Sequence, residues 1–150
     1  MTHTNRFRWL ALVAGAILLA LVAFLGFRTW WSAGERADQA NWEVVQTETA
    51  WVPDQLAASP REVIEPCSKS LYMGAITWSA DQAIEEDQLA QAHARLVREG
   101  WSQRSEDASQ VVLAKEFGGR VAELNLVKPA GFDDGNVVAS LTLPAKFCGP

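Results

Sequence analysis

The strongest constraint on this chain is an apolar run near its N-terminus. Residues 9–27 read WLALVAGAILLALVAFLGF, which is 19 consecutive positions without a charged side chain. A helix rises about 1.5 Å per residue, so this run would span about 28 Å, close to the hydrocarbon thickness of a bilayer. Trp9 opens the run, and Trp30 and Trp31 follow it, as amphipathic rings do at membrane interfaces. We therefore expect an uncleaved transmembrane helix that acts as a signal-anchor.

Two alternatives to this anchor remain open from the sequence. A cleaved signal peptide has an apolar core of about 7–15 residues followed by a small-x-small cleavage site. Here the run is longer, and bulky Trp31 stands where a small residue would be needed. A helix buried in a protein core is the second alternative, but a domain of this size could hardly surround it on all sides.

The charges around the run predict its orientation. Arg6 and Arg8 precede it together with the terminal amine, whereas Arg28 and Arg36 follow it among acidic residues. Because Lys and Arg favour the cytoplasmic side, we expect the N-terminus in the cytoplasm and a single pass through the plasma (inner) membrane. The predicted layout is a cytoplasmic tail at 1–8, the transmembrane helix at 9–27, a juxtamembrane linker at 28–52 and an extracytoplasmic domain at 53–150.

The rest of the chain predicts an α+β domain with an antiparallel sheet and one packed helix. Residues 41–52 are strand-prone in composition, and three prolines then indicate a loop with one possible helical turn at 54–58. An apolar strand at 71–78 precedes a helix at about 80–99, for which Ser79 and Gln82 offer a capping box and Gly100 a C-terminal cap. Further strands are predicted at 101–104, 111–117, 120–127 and 137–143, the middle two joined by a Gly118-Gly119 turn.

The two cysteines flank the predicted sheet. Cys67 precedes the first confident strand and Cys148 follows the last. If these strands are antiparallel neighbours, the two thiols meet at one edge of the sheet, and we predict a disulfide bond. Such a bond would place the domain in an oxidising compartment outside the cytoplasm. Two separate buried thiols are the alternative.

The sequence contains no recognisable catalytic or cofactor-binding motif. The formal net charge is −5 at pH 7 and the pI is about 5.0, and this acidic balance does not favour a nucleic-acid partner. Two Cys and two His do not readily supply a metal cluster, and the DDGN stretch at 133–136 lacks the ligand spacing of a calcium loop. His93 is interpreted as a structural residue beside the apolar stripe of the helix. We therefore expect no enzyme activity, no metal and no cofactor.

Possible partner contacts are Trp42 and Trp51, because Trp is frequent at binding hot spots, and Ala11 and Gly15, whose spacing permits close helix approach. Both Trp residues could equally belong to the core. The expected function is a non-catalytic accessory or structural subunit that docks on a larger membrane or envelope complex. The alternative is a membrane-tethered module that binds a small ligand, a peptide or a lipid.

Overall fold

The computed structural model describes residues 3–68, 72–132 and 136–148, with side chains from residue 12 onward. Helix α1 spans His3–Thr49 and is 47 residues long. The chain forms two compact units that divide between Gly34 and Glu35. The expected combination of one apolar N-terminal helix with a separate α+β domain is confirmed.

The first unit carries the apolar helix. Among the described residues, one helix is long and apolar enough to cross a membrane, with a window of mean hydropathy 2.2. None of that window is buried, so the helix is not the core of the folded domain. A signal sequence near an N-terminus meets the same criteria, so length and composition show only that this helix could span a bilayer.

The second unit is built on a six-stranded antiparallel sheet of spatial order β1-β2-β6-β5-β4-β3. After the short helix α2 at Val52–Gln55, the elements follow in chain order: β1 Ser59–Ile64, β2 Met73–Ser79, α3 Glu86–Arg98, β3 Ser102–Glu106, β4 Gln110–Phe117, β5 Arg120–Val127 and β6 Val137–Pro144. The Gly-Gly hairpin is confirmed, since Phe117 pairs with Arg120 and both glycines have positive φ, at 53° and 75°.

The core lies between one face of the sheet and the helices. Alternate residues of β2, β4, β5 and β6 face it, and Leu89, Ala92 and Leu96 contribute the apolar stripe of α3. Trp42 and Val45 of α1 belong to the same core. Burying these side chains provides the main driving force for folding of the domain.

The strand-prone reading of residues 41–52 is wrong. This stretch is helical up to Thr49 because Asp38, Trp42, Val45 and Thr49 recur at helical spacing and are all buried. The β-branched residues have only a weak intrinsic preference, which tertiary packing overrides. Part of the loop predicted from the three prolines is strand β1, because β1 is an edge strand, where Pro60 is tolerated.

Helix α3 begins later than predicted. The N–H of Ala80 donates to the Asn136 carbonyl at 3.0 Å, so residue 80 still extends the sheet. The capping box forms between Glu85 and Gln88 rather than between Ser79 and Gln82. The chain can turn into the helix only once it has left the sheet and buried Ile84 in the core.

Candidate functional site

The disulfide between Cys67 and Cys148 is present, as predicted from the sequence. Their Cα atoms lie 4.6 Å apart, within the range that a disulfide requires. β2 and β6 are antiparallel neighbours with Met73 opposite Pro144, which brings the two cysteines to the same edge of the sheet. The bond ties the segment after β6 to the loop after β1.

A buried carboxylate holds the same C-terminal segment. Asp38 is 2% exposed, and its Oδ2 accepts hydrogen bonds from the backbone N–H groups of Lys146 at 2.7 Å and Phe147 at 3.0 Å. Its Oδ1 accepts from Arg120 Nη2 at 3.0 Å. One carboxylate therefore joins α1, β5 and the residues just before Cys148. Three donors compensate its removal from water, as a buried charge requires.

Trp42 is wholly buried in the core. A methyl group built on Gly74 would lie 2.7 Å from the indole ring, so the ring packs directly on the backbone of β2. This burial favours the core alternative for Trp42, because no part of its side chain reaches the domain surface.

Trp51 is half-buried and joins a polar cluster with α3. The guanidinium of Arg95 lies 4.0 Å from the ring centroid, and Trp51 Nε1 donates to Glu99 Oε2 at 3.1 Å. Arg95 Nε also donates to Glu99 Oε1 at 2.9 Å. The ring therefore already has a cation on one face and a partner for its N–H, although part of it stays accessible.

Of the two membrane-helix contact residues predicted from the sequence, Ala11 and Gly15, the structure describes the surroundings of Gly15 only. The side chain of Ala11 falls outside the described side chains. A Cβ on Gly15 would have no neighbour within 4 Å, so this face of the helix is open in the described chain. Contact with a second helix at Gly15 stays a prediction.

Cavities flank the N-terminal half of α3. The α3 cavity, of about 230 Å³, is lined by three apolar and four titratable residues: Leu89, Ala90, Val111, Glu86, His93, Glu106 and Lys128. A neighbouring cavity of about 270 Å³ shares Glu86, Leu89 and Lys128. A third, of about 380 Å³, lies at the segment from Ala80 to Glu85 and is more polar.

The polar groups of the α3 cavity are unequally satisfied. Lys128 Nζ donates to Glu106 Oε1 at 2.6 Å and to the Asp107 carbonyl at 2.7 Å. The hydrogen bond that Lys128 donates to Glu106, together with one donated by Gln103, holds the pKa of Glu106 below its ordinary value of 4.5. By contrast, His93 Nε2 is buried without a hydrogen-bond partner in the described part of the chain.

The sequence offered little signal for Asp38, Arg120 or the polar walls of the α3 cavity. Each of these residues is distant in the chain from its partners, and a single acid in a polar stretch resembles a surface residue. Within residues 3–68, 72–132 and 136–148, no group of three or more His, Cys, Asp or Glu residues could hold a metal ion.

Comparison with protein-family models finds no match for this chain. Searches of curated proteins and of solved structures find no match either.

Proposed function

We propose that this protein is a single-pass, membrane-anchored accessory subunit whose extracytoplasmic domain docks on a larger membrane or envelope complex. The observation that carries the proposal is the union in one chain of an exposed apolar helix and a separately packed, disulfide-bonded domain. Such a chain anchors at one end and presents a folded surface at the other.

The orientation in this proposal has the N-terminus in the cytoplasm of a plasma (inner) membrane. It is supported by Arg6 and Arg8 before the apolar run and by the disulfide after it. The positive charges favour the cytoplasm, whereas a disulfide persists in an oxidising compartment. The two features favour opposite sides of the membrane, as a single crossing requires.

Purification of the tagged full chain in a mild detergent, followed by mass spectrometry, tests this role. We expect one or a few membrane or envelope proteins to be recovered in constant ratio to the chain. Replacement of residues 9–27 by an unrelated Leu/Ala segment of equal length is the matched control, since it keeps the anchor and changes its surface. Recovery of the chain alone from native membranes would contradict the accessory role.

A second candidate function is the binding of a small ligand near the membrane. The cavities beside α3, one of them about 380 Å³, favour this alternative. If the chain is purified without a protein partner and binds a small molecule saturably, ligand binding becomes the better supported function.

A further inference from the structure

The end of the sheet at which β2 begins and β6 ends carries exposed apolar side chains. Tyr72 is 62% exposed and Met73 is 43% exposed. Met73 lies opposite Pro144 in the antiparallel register, and Pro144 is exposed as well. Lys146 follows two residues later, is exposed, and makes no ion pair with any described residue. We call Tyr72, Met73, Pro144 and Lys146 the Tyr72 tip.

The composition of the Tyr72 tip differs from that of the other exposed apolar positions. In the described part of the second unit, the remaining large apolar side chains at the surface are separate valines: Val44, Val63, Val97 and Val121. At the tip, an aromatic ring with a hydroxyl group adjoins a flexible apolar chain and a lysine. Tyrosine is enriched at membrane interfaces, and lysine places its ammonium in the headgroups while its stem covers apolar surface. The tip therefore has the side chains of an interfacial contact.

The Tyr72 tip is joined to helix α1 by hydrogen bonds. Asp38 of α1 accepts the backbone N–H of Lys146 at 2.7 Å. The neighbouring N–H of Ala145 donates to the Tyr72 carbonyl at 2.8 Å. Phe27, the last residue of the apolar run, lies eleven residues before Asp38 in the same helix, which is about 16 Å along its axis. The tip is therefore the end of the domain that is nearest along the chain to the apolar run.

The two ends of the sheet differ in charge. At the Tyr72 tip, the Asp38 carboxylate is buried and paired with Arg120, whereas the Lys146 ammonium is exposed. Glu65 also lies at this end and accepts a hydrogen bond from Gln39 at 3.3 Å. Exposed carboxylates gather at the other end, after β2 and in the turn between β3 and β4: Asp81, Glu85, Glu86, Asp87 and Asp107. Because lipid phosphates attract ammonium groups and repel carboxylates, the charges favour the tip as the end that faces headgroups.

From these features we propose that the Tyr72 tip lies in the headgroup layer of the bilayer that anchors the chain. Met73 and the Tyr72 ring contact the apolar side of this layer, while the Tyr72 hydroxyl and the Lys146 ammonium face the lipid phosphates. The acidic end of the sheet then points away from the membrane. This inference rests on the membrane anchor of the proposed function and not on its accessory role.

The test uses the full chain in phosphatidylcholine nanodiscs that contain a lipid with a gadolinium chelate on its headgroup. With ¹³C-labelled methionine methyl groups, the sequence contributes only Met1 and Met73, and Met73→Leu assigns the two resonances. Ala108→Met adds a reporter in the exposed turn between β3 and β4, at the other end of the sheet.

The expected result is selective broadening of the Met73 resonance. Each of β4, β5 and β6 has eight residues, so about 25 Å separates the two ends of the sheet and Met73 should broaden at least about tenfold more than the added methyl group. Equal broadening of the two, or stronger broadening at position 108, would overturn the proposal. A Met73 resonance that stays sharp would also overturn it and would leave the tip as a surface for a protein partner.

Two matched variants test whether the tip makes the contact. Tyr72→Ser should lower the gadolinium-induced broadening of Met73 by at least about half, because it removes the aromatic ring that favours the interface. Val63→Ser also removes an exposed apolar side chain, but on β1 outside the tip, and should leave this broadening within about one fifth of its original value. Equal losses in both variants would contradict the assigned surface.

The membrane anchor is measured separately, by washing native membranes with alkaline carbonate. A chain that stays in the washed membrane while Met73 remains sharp in nanodiscs would overturn this inference alone. A chain that the wash releases would contradict the anchor, and the inference would fall with it. Retention of the chain together with selective broadening of Met73 would support both.

Discussion

Arg120 Nη2 lies 3.0 Å from Asp38 Oδ1, and this ion pair connects the start of β5 to helix α1 across 82 residues of sequence. The Asp38 side chain is 2% exposed and that of Arg120 is 19% exposed. The same carboxylate also receives two backbone N–H groups from residues 146 and 147. Removing its charge therefore affects three separate parts of the domain at once.

Asp38→Asn should lower the free energy of unfolding by about 3 kcal/mol, because it leaves the largely buried guanidinium of Arg120 without its counter-charge. Chemical denaturation monitored by circular dichroism measures the loss. Asp54→Asn is the control, since Asp54 is exposed and makes no side-chain hydrogen bond or ion pair with any described residue. Equal stability of the two variants would contradict the role assigned to Asp38.

The disulfide should provide a comparable contribution. Its loop covers 81 residues, for which chain entropy predicts about 4–5 kcal/mol of stabilisation. Replacing Cys67 and Cys148 together by Ala should lower the melting temperature, and non-reducing peptide mapping of the native protein should show the linked pair. Two free thiols in protein taken from its native membrane would argue against both the bond and the proposed compartment.

Gly74→Ala should destabilise the domain by about 1–3 kcal/mol, because its methyl group would lie 2.7 Å from the Trp42 ring and force it to move. Thr77→Ala, which changes a residue of the same strand on the other face, is the control. Combining Gly74→Ala with Trp42→Leu should cost less than the sum of the two single changes. Strict additivity would show that the glycine and the ring do not interact.

The pKa of Glu106 is lowered by hydrogen bonds from Lys128 and Gln103, and the pKa of Asp107 is lowered by those from Ser109. A carboxylate whose folded-state pKa is depressed stabilises the fold above its unfolded pKa, and this contribution is lost as the pH falls through the folded value. Stability should therefore decline below the ordinary values of 4.5 and 3.8.

A ¹³C titration of the side-chain carboxyl groups checks this pH dependence. Lys128→Met should raise the midpoint of Glu106 and leave that of Asp107, whose main partner is Ser109, nearly unchanged. An unaltered Glu106 midpoint would contradict the assigned cause.

The proposed topology predicts where an introduced cysteine reacts. Glu116 is exposed on β4, and both native cysteines are in the disulfide, so Glu116→Cys adds one accessible thiol. A membrane-impermeant maleimide should label it on intact cells. Thr4→Cys in the cytoplasmic tail should react only after lysis, and the reverse pattern would overturn the orientation.

The sequence predicted those parts of the fold that depend on local patterns. The apolar run, the Gly118-Gly119 hairpin and the pairing of β4 with β5 each arise from adjacent residues. The helical path of residues 41–49 is hard to predict, because two of the four buried residues at helical spacing, Asp38 and Thr49, are polar and the β-branched residues there favour a strand. The same holds for the Asp38 contacts, whose partners lie 82 to 109 residues away.

The position of β6 in the sheet sets the order in which the domain can be completed during synthesis. Among the strands of the described residues, β6 is translated last, yet it lies between β2 and β5 in space. Until it emerges, β1–β2 and β3–β5 are two separate ribbons, each with an unpaired edge facing where β6 will insert. Such edges invite pairing with other chains. Chains that stop before β6 should therefore be prone to aggregation and to proteolysis, because the edges of β2 and β5 that β6 would pair with stay open.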